Sequence, residues 1–172
     1  ANTAAMRGRM ADALPLFDRA LAVTEAEPAL TDLRLLLQVN KAVTLGDLDE
    51  YDGAFAAARE AQQVADRVGL MVRRAQAQSC LGQLLFHTGH WDDALAEVGV
   101  HQEVRKDPGM ACCDHGVAAV IRFHRGETAK GRRHLAAAAP HAERIGNRVV
   151  GTLALARSEA LEHEGELTEA LD

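Results

Sequence analysis

The sequence predicts an all-α chain, a solenoid in which antiparallel helix hairpins stack one on the next. Three observations lead there. Gly8, Gly46, Gly89, Gly126 and Gly165 recur at intervals of 38, 43, 37 and 39 residues, and a period of that size marks a stack of helical repeats. Side-chain size repeats around each glycine. Two residues after it stand Met10, Leu48, Trp91, Thr128 and Leu167, mostly large, and five after it stand Ala13, Tyr51, Ala94, Gly131 and Ala170, mostly small. Seven before the last four stand Val39, Gly82, Ala119 and Ser158, again mostly small, as closely crossing helices require. The third observation is composition: 48% of residues are hydrophobic but only 3% aromatic. Small apolar side chains suit packed helices and make a poor β-sandwich, and no alternating strand pattern of useful length occurs.

The hairpin is clearest between Leu81 and Leu95. Leu81, Gly82 and Leu85 share one helical face, and Gly89 ends that helix because glycine takes a left-handed turn without steric penalty. Trp91, Ala94 and Leu95 restart the apolar stripe, with Asp92 and Asp93 at the new N-terminus, where negative charge is favoured. Taken in order, a first helix runs from 10 to about 24, with Leu14, Phe17, Ala20 and Leu21 on one face and Pro15 expected in its first turn. Pro28 separates it from a helix over 31–44. The second copy fits the pattern if its turn carries a three-residue insertion within 47–53. Ala54, Ala58 and Ala61 then take the small positions, Tyr51 falls in the loop, and the partner helix covers 54–68. Helices over 70–87 and 91–106 form the next pair, closed by Asp107, Pro108 and Gly109, a strong turn signal. Helices over 110–124 and 128–145 follow, with Pro140 expected to kink or split the second. A helix over 147–164 opens a fifth pair. Both ends read as interrupted hairpins, so residues 1–172 are expected to be one repeat array from within a longer protein.

Composition also excludes. The formal charge of −6, with 16 Arg and 3 Lys scattered among the acids, argues against direct nucleic-acid contact by this segment. No stretch has the roughly 20 apolar residues that span a bilayer, and no secretory leader opens the chain; a cytoplasmic location is expected. Three cysteines make no disulfide framework.

Leu81-Gly82, Leu85, Gly89, Trp91 and Ala94 fall at the spacings of the tetratricopeptide repeat signature. Gly8, Met10, Ala13, Phe17 and Ala20 match its second half. The chain thus resembles a tetratricopeptide-like array, which implies a right-handed superhelical solenoid. Its repeats are longer than the usual 34 residues. The exits Ala65-Asp-Arg-Val-Gly69 and Ala142-Glu-Arg-Ile-Gly146 are similar to those in the helical-repeat region of large ATP-binding LuxR-type (MalT-like) bacterial transcription regulators. That resemblance implies a sensor or partner-binding segment, between a nucleotide-binding module and a DNA-binding helix-turn-helix that this segment does not contain.

His87, His124 and His163 each stand two residues before a turn glycine, with Phe86 and Phe123 just before the first two. In tetratricopeptide stacks such positions face the concave groove, and Gln83, Val120 and Glu159, four residues earlier, share that face. Gln83, Phe86, His87, Val120, Phe123, His124, Glu159 and His163 are therefore the candidate groove, suited to a protein or peptide partner or a small-molecule effector. The plainer reading is that each histidine favours its helix C-terminus and each Phe packs between repeats. His87, His90, His101, Cys112, Cys113, Asp114 and His115 invite a zinc or thiol-switch reading. Adjacent cysteines, however, diverge by about 100° on a helix, and buried thiols are the default. The acidic turn Asp47, Asp49, Glu50, Asp52 and Gly53 resembles a calcium loop but has Tyr51 where an oxygen ligand belongs. With no nucleophile elbow and no phosphate loop, no catalytic residue, metal or cofactor is expected. The expected function is a non-enzymatic binding segment of a larger regulator. The alternative is a passive scaffold or homodimerisation module.

Overall fold

In the computed structural model, residues 9–99, 107–145 and 151–165 are described; Gly8, His101, Gly146, Leu167 and Ala170 of the expectations above lie outside them. The described residues are all-helical, without strands. The helices are α1 (Met10–Glu25), a short 3-10 turn (Pro28–Leu30), α2 (Thr31–Gly46), α3 (Tyr51–Val68), α4 (Met71–His87), α5 (Trp91–Gly99), α6 (Pro108–His124), α7 (Thr128–Arg144) and α8 (Gly151–Glu164). None of them is long and apolar enough to cross a membrane. The chain divides into two compact units, up to Leu84 and from Leu85.

In the first unit α2 packs on both α1 and α3. Leu35, Val39, Ala42 and Leu45 form a stripe at helical spacing on α2, and Ala54, Ala58, Ala61 and Ala65 answer it from α3. Branched side chains against alanines let the two backbones approach. Ala77, Cys80, Leu81 and Leu84 of α4 complete that core. Phe17 of α1 is fully buried beside Leu37, and burying such a ring stabilises by roughly 1.5–3 kcal/mol. Arg73 of α4 holds Asp32, in the first turn of α2, through two hydrogen bonds of 2.8 and 2.6 Å. The guanidinium keeps the Asp32 carboxyl below its usual range.

Four helix ends share one closure. Leu70 N donates to Ala65 O, His90 N to Leu85 O and Glu127 N to Arg122 O. Gly69, Gly89 and Gly126 N reach back three residues to Asp66, Phe86 and Phe123 O. These glycines have φ of 73°, 81° and 70°, the left-handed cap that satisfies the last carbonyls. At the end of α2 the same two bonds run from Glu50 N to Leu45 O and from Asp49 N to Gly46 O, and Asp49 takes the left-handed conformation at φ 61°.

This overturns the expected place of Gly46 and of Tyr51, while Ala54, Ala58 and Ala61 take the buried small positions as the three-residue displacement requires. Gly46 is the last residue of α2, not its stop. A Cβ there would come within 2.7 Å of Leu84 Cδ2, so its missing side chain serves packing. Counted from Asp49, Tyr51 stands where Trp91 and Thr128 stand, two residues on, and opens α3 instead of lying in the loop. Two prolines also differ from expectation. Pro15 lies in the second turn of α1, and α7 runs through Pro140 without splitting. The carbonyls each proline leaves without an N–H belong to Ala11 and Ala136, which are exposed, so water can satisfy them.

In the second unit α6 is the centre. It begins at Asp107, whose carboxylate accepts from Gly109 N at 2.9 Å, with Pro108 in the first turn. Val117, Ala118 and Ile121 face Ala94 and Val98 of α5, while Ala119, Val120 and Phe123 face Ala156 and Ala160 of α8. Cys112 packs with Ala138 and Ala142 of α7 and Leu153 of α8. Gly116 marks the closest crossing: a Cβ there would lie 2.7 Å from the backbone of Thr152 and Leu153.

Candidate binding surface

Side chains at three helix C-termini of the second unit form one connected row. α4 ends with Phe86 and His87, α6 with Phe123 and His124, and α8 carries Glu159, Glu162 and His163 in its last turns. Rings connect them. Phe86 stacks on Trp91 at a centroid distance of 6.4 Å and 19° between planes, and meets His87 edge-on at 5.3 Å. Trp91 lies 5.4 Å from the His124 ring. His124 Nε2 is 3.0 Å from Glu159 Oε1, and His163 stacks on Phe123 at 5.6 Å and 29°. Beside this row is a half-open hollow of about 420 Å³, lined by His124, Leu155, Ser158, Glu159, Glu162 and His163.

Burial raises the Glu159 carboxyl above its usual value, and Glu162 adds to the rise while His124 and His163 oppose it. No lysine or arginine among the described residues pairs with Glu159 or Glu162.

The expected site residues fall into three groups. Phe86, His87, His124, Glu159 and His163 belong to the connected row or the hollow. Val120 and Phe123 are 0% and 1% exposed, so they are core. The Phe123 ring fills the space over Gly131, where a Cβ would come within 2.8 Å of it. Their places are corrected accordingly: Val120 lines no surface, and Phe123 reaches the site only as the floor beneath His163. Gln83 belongs to the first unit and turns back on its own helix, donating to Ser79 O at 3.3 Å. Sequence reasoning missed Leu155, Ser158 and Glu162. The signal was present, since 155, 158, 159, 162 and 163 fall on one helical face. Trp91 stood out only as a hairpin landmark, although it is the ring between Phe86 and His124.

The cysteine–histidine reading separates into unrelated parts. Cys112 is fully buried and Cys113 partly so; burial pushes the Cys113 thiol up to about 11 and raises that of Cys112. His115 instead meets α7, its Nδ1 3.2 Å from His134 Nδ1 and its ring 6.4 Å from that of His141. Desolvation, with His115, Arg122 and Arg133 nearby, pushes His134 down to about 4. Among the described residues no group of three His, Cys, Asp or Glu side chains could hold a metal ion. In the acidic turn, the Asp49 carboxylate accepts from the Tyr51 hydroxyl at 2.9 Å.

No protein-family model matches the chain, and no curated protein matches it.

Proposed function

We propose that the chain is a non-enzymatic binding segment of a larger bacterial regulator, a cytoplasmic transcriptional regulator on the LuxR-type resemblance. Its hairpins would form a right-handed superhelical array of the tetratricopeptide kind. The partner is a protein or peptide, taken on the helix ends of the second unit, or a small-molecule effector held at the same place. One observation carries this reading. Phe86, Trp91, His124 and Glu159 touch in sequence across four helices and border an open hollow, whereas a surface without a binding role needs no such convergence of rings and polar groups. A filled surface would shift the packing of neighbouring hairpins and so signal to attached modules.

The test is a peptide library screened by fluorescence. Trp91 is the only tryptophan of the chain, and it lies against His124. Peptides that bind are expected to change its emission, and His124→Ala is expected to weaken them. If no peptide changes the emission at about millimolar concentration, a level that would register even weak binding, the reading is wrong.

A second reading, self-association as a scaffold, is favoured by one feature of the first unit. Val68, Met71 and Val72 stand 51%, 48% and 59% exposed around the turn between α3 and α4, an apolar cluster of the kind that pairs copies. Sedimentation velocity on the wild type and on Val72→Asp separates the two readings.

A further inference from the structure

Resting on the binding reading above, we propose that the hollow takes the side chain of an arginine from a peptide partner. Charge points to a cation. Two carboxylates, Glu159 and Glu162, line the hollow, and among the described residues no lysine or arginine does. Glu159 is buried to the extent that 13% of its side chain is exposed, and its hydrogen-bond partner is an imidazole, not a permanent cation. A half-desolvated carboxylate in that setting gains more from an incoming cation than an exposed one would.

Shape selects arginine among cations. The guanidinium is flat, offers five N–H donors in a fork, and stacks on planar rings. Here the imidazoles of His124 and His163 provide planar walls, each already backed by another ring, Trp91 and Phe123. Leu155, 46% exposed, provides an apolar surface for the methylene stem, as long basic side chains require. The hollow opens to solvent and, at about 420 Å³, has room for a whole arginine side chain, with the peptide backbone placed at its mouth.

The experiment titrates the 172-residue chain with an acetylated, amidated tripeptide whose central residue is arginine, following Trp91 emission and the NMR shifts of His124 and His163. The same tripeptide with citrulline, which keeps the shape and loses the charge, is the control. The arginine peptide is expected to bind about tenfold more tightly or better, since one charge-assisted pair is worth that much. Glu159→Gln is expected to erase the preference, and Glu162→Gln, at an exposed position, to reduce it with little risk to folding. Agmatine is expected to bind more weakly than the peptide; equal binding would make the ligand a small free guanidine and overturn the peptide assignment. Citrulline binding as well as arginine would overturn the cation site while leaving peptide binding intact. Silence from every peptide would remove both.

Discussion

Asp49 is the one non-glycine residue at positive φ among the described residues, and it occupies a place that glycine fills at the other three closures. A side chain in that conformation costs roughly 1 kcal/mol, which aspartate softens by local hydrogen bonding. Asp49→Gly is therefore expected to stabilise the protein by roughly 0.5–1 kcal/mol, read as a higher urea midpoint. The exposed bond to the Tyr51 hydroxyl is too wet to offset that. The sequence rule that each stop is a glycine misled here, because Asp can also turn left-handed and Gly46 was close enough to stand in for it. With Asp49 as the anchor the first interval to Gly89 becomes 40 residues, in line with the later 37 and 39. His134 gives a second expectation. Its folded value is about 4 against 6.5 in the unfolded chain, so between those values the unfolded state holds more protons. Stability then falls as pH drops through that window and is fully present above it. A urea midpoint that decreases from pH 7 to 5, and decreases less in His134→Gln, would bear this out. That pair was hidden from the sequence because its partners sit 19 residues apart on different helices.

Among the helices, α6 touches more of its unit than any other, with α5, α7 and α8 all packed against it. Its tolerance is set by Gly116, since the atoms a Cβ would meet are backbone of α8 and cannot rotate away. Gly116→Ala is expected to destabilise by about 1–3 kcal/mol, whereas Gly99→Ala, where a Cβ meets nothing, is expected to leave stability unchanged or slightly raised. Denaturant melts of the two variants give the comparison. Helix existence was legible nearly everywhere from the apolar period, because one face of each helix is buried and the other is wet. Which face of a helix end points outward was not. Val120 and Phe123 share the groove register with Gln83 and Phe86, yet α8 covers them, and the sequence of α6 alone carries no information about that cover.

On the scale of the whole molecule, each unit carries its own thiol reporter. Burial pushes Cys80 of the first unit up to about 12 and Cys113 of the second up to about 11, so neither reacts as a thiolate until its surroundings open. Pulsed alkylation along a urea gradient should then report the units separately. Combined with Gly116→Ala, labelling of Cys112 and Cys113 is expected at lower urea while that of Cys80 stays put, if the two units unfold separately as the proposed repeat array implies. Simultaneous labelling in wild type and variant would show a single cooperative unit instead.

The left-handed caps have one more consequence. His87, His124 and His163 each precede a left-handed glycine by two residues, at intervals of 37 and 39. On the proposed repeat reading, a stretch of that length copied in frame would add one more hairpin with its own imidazole in the same register. Gain or loss of one such imidazole would then be a single editing event in the gene.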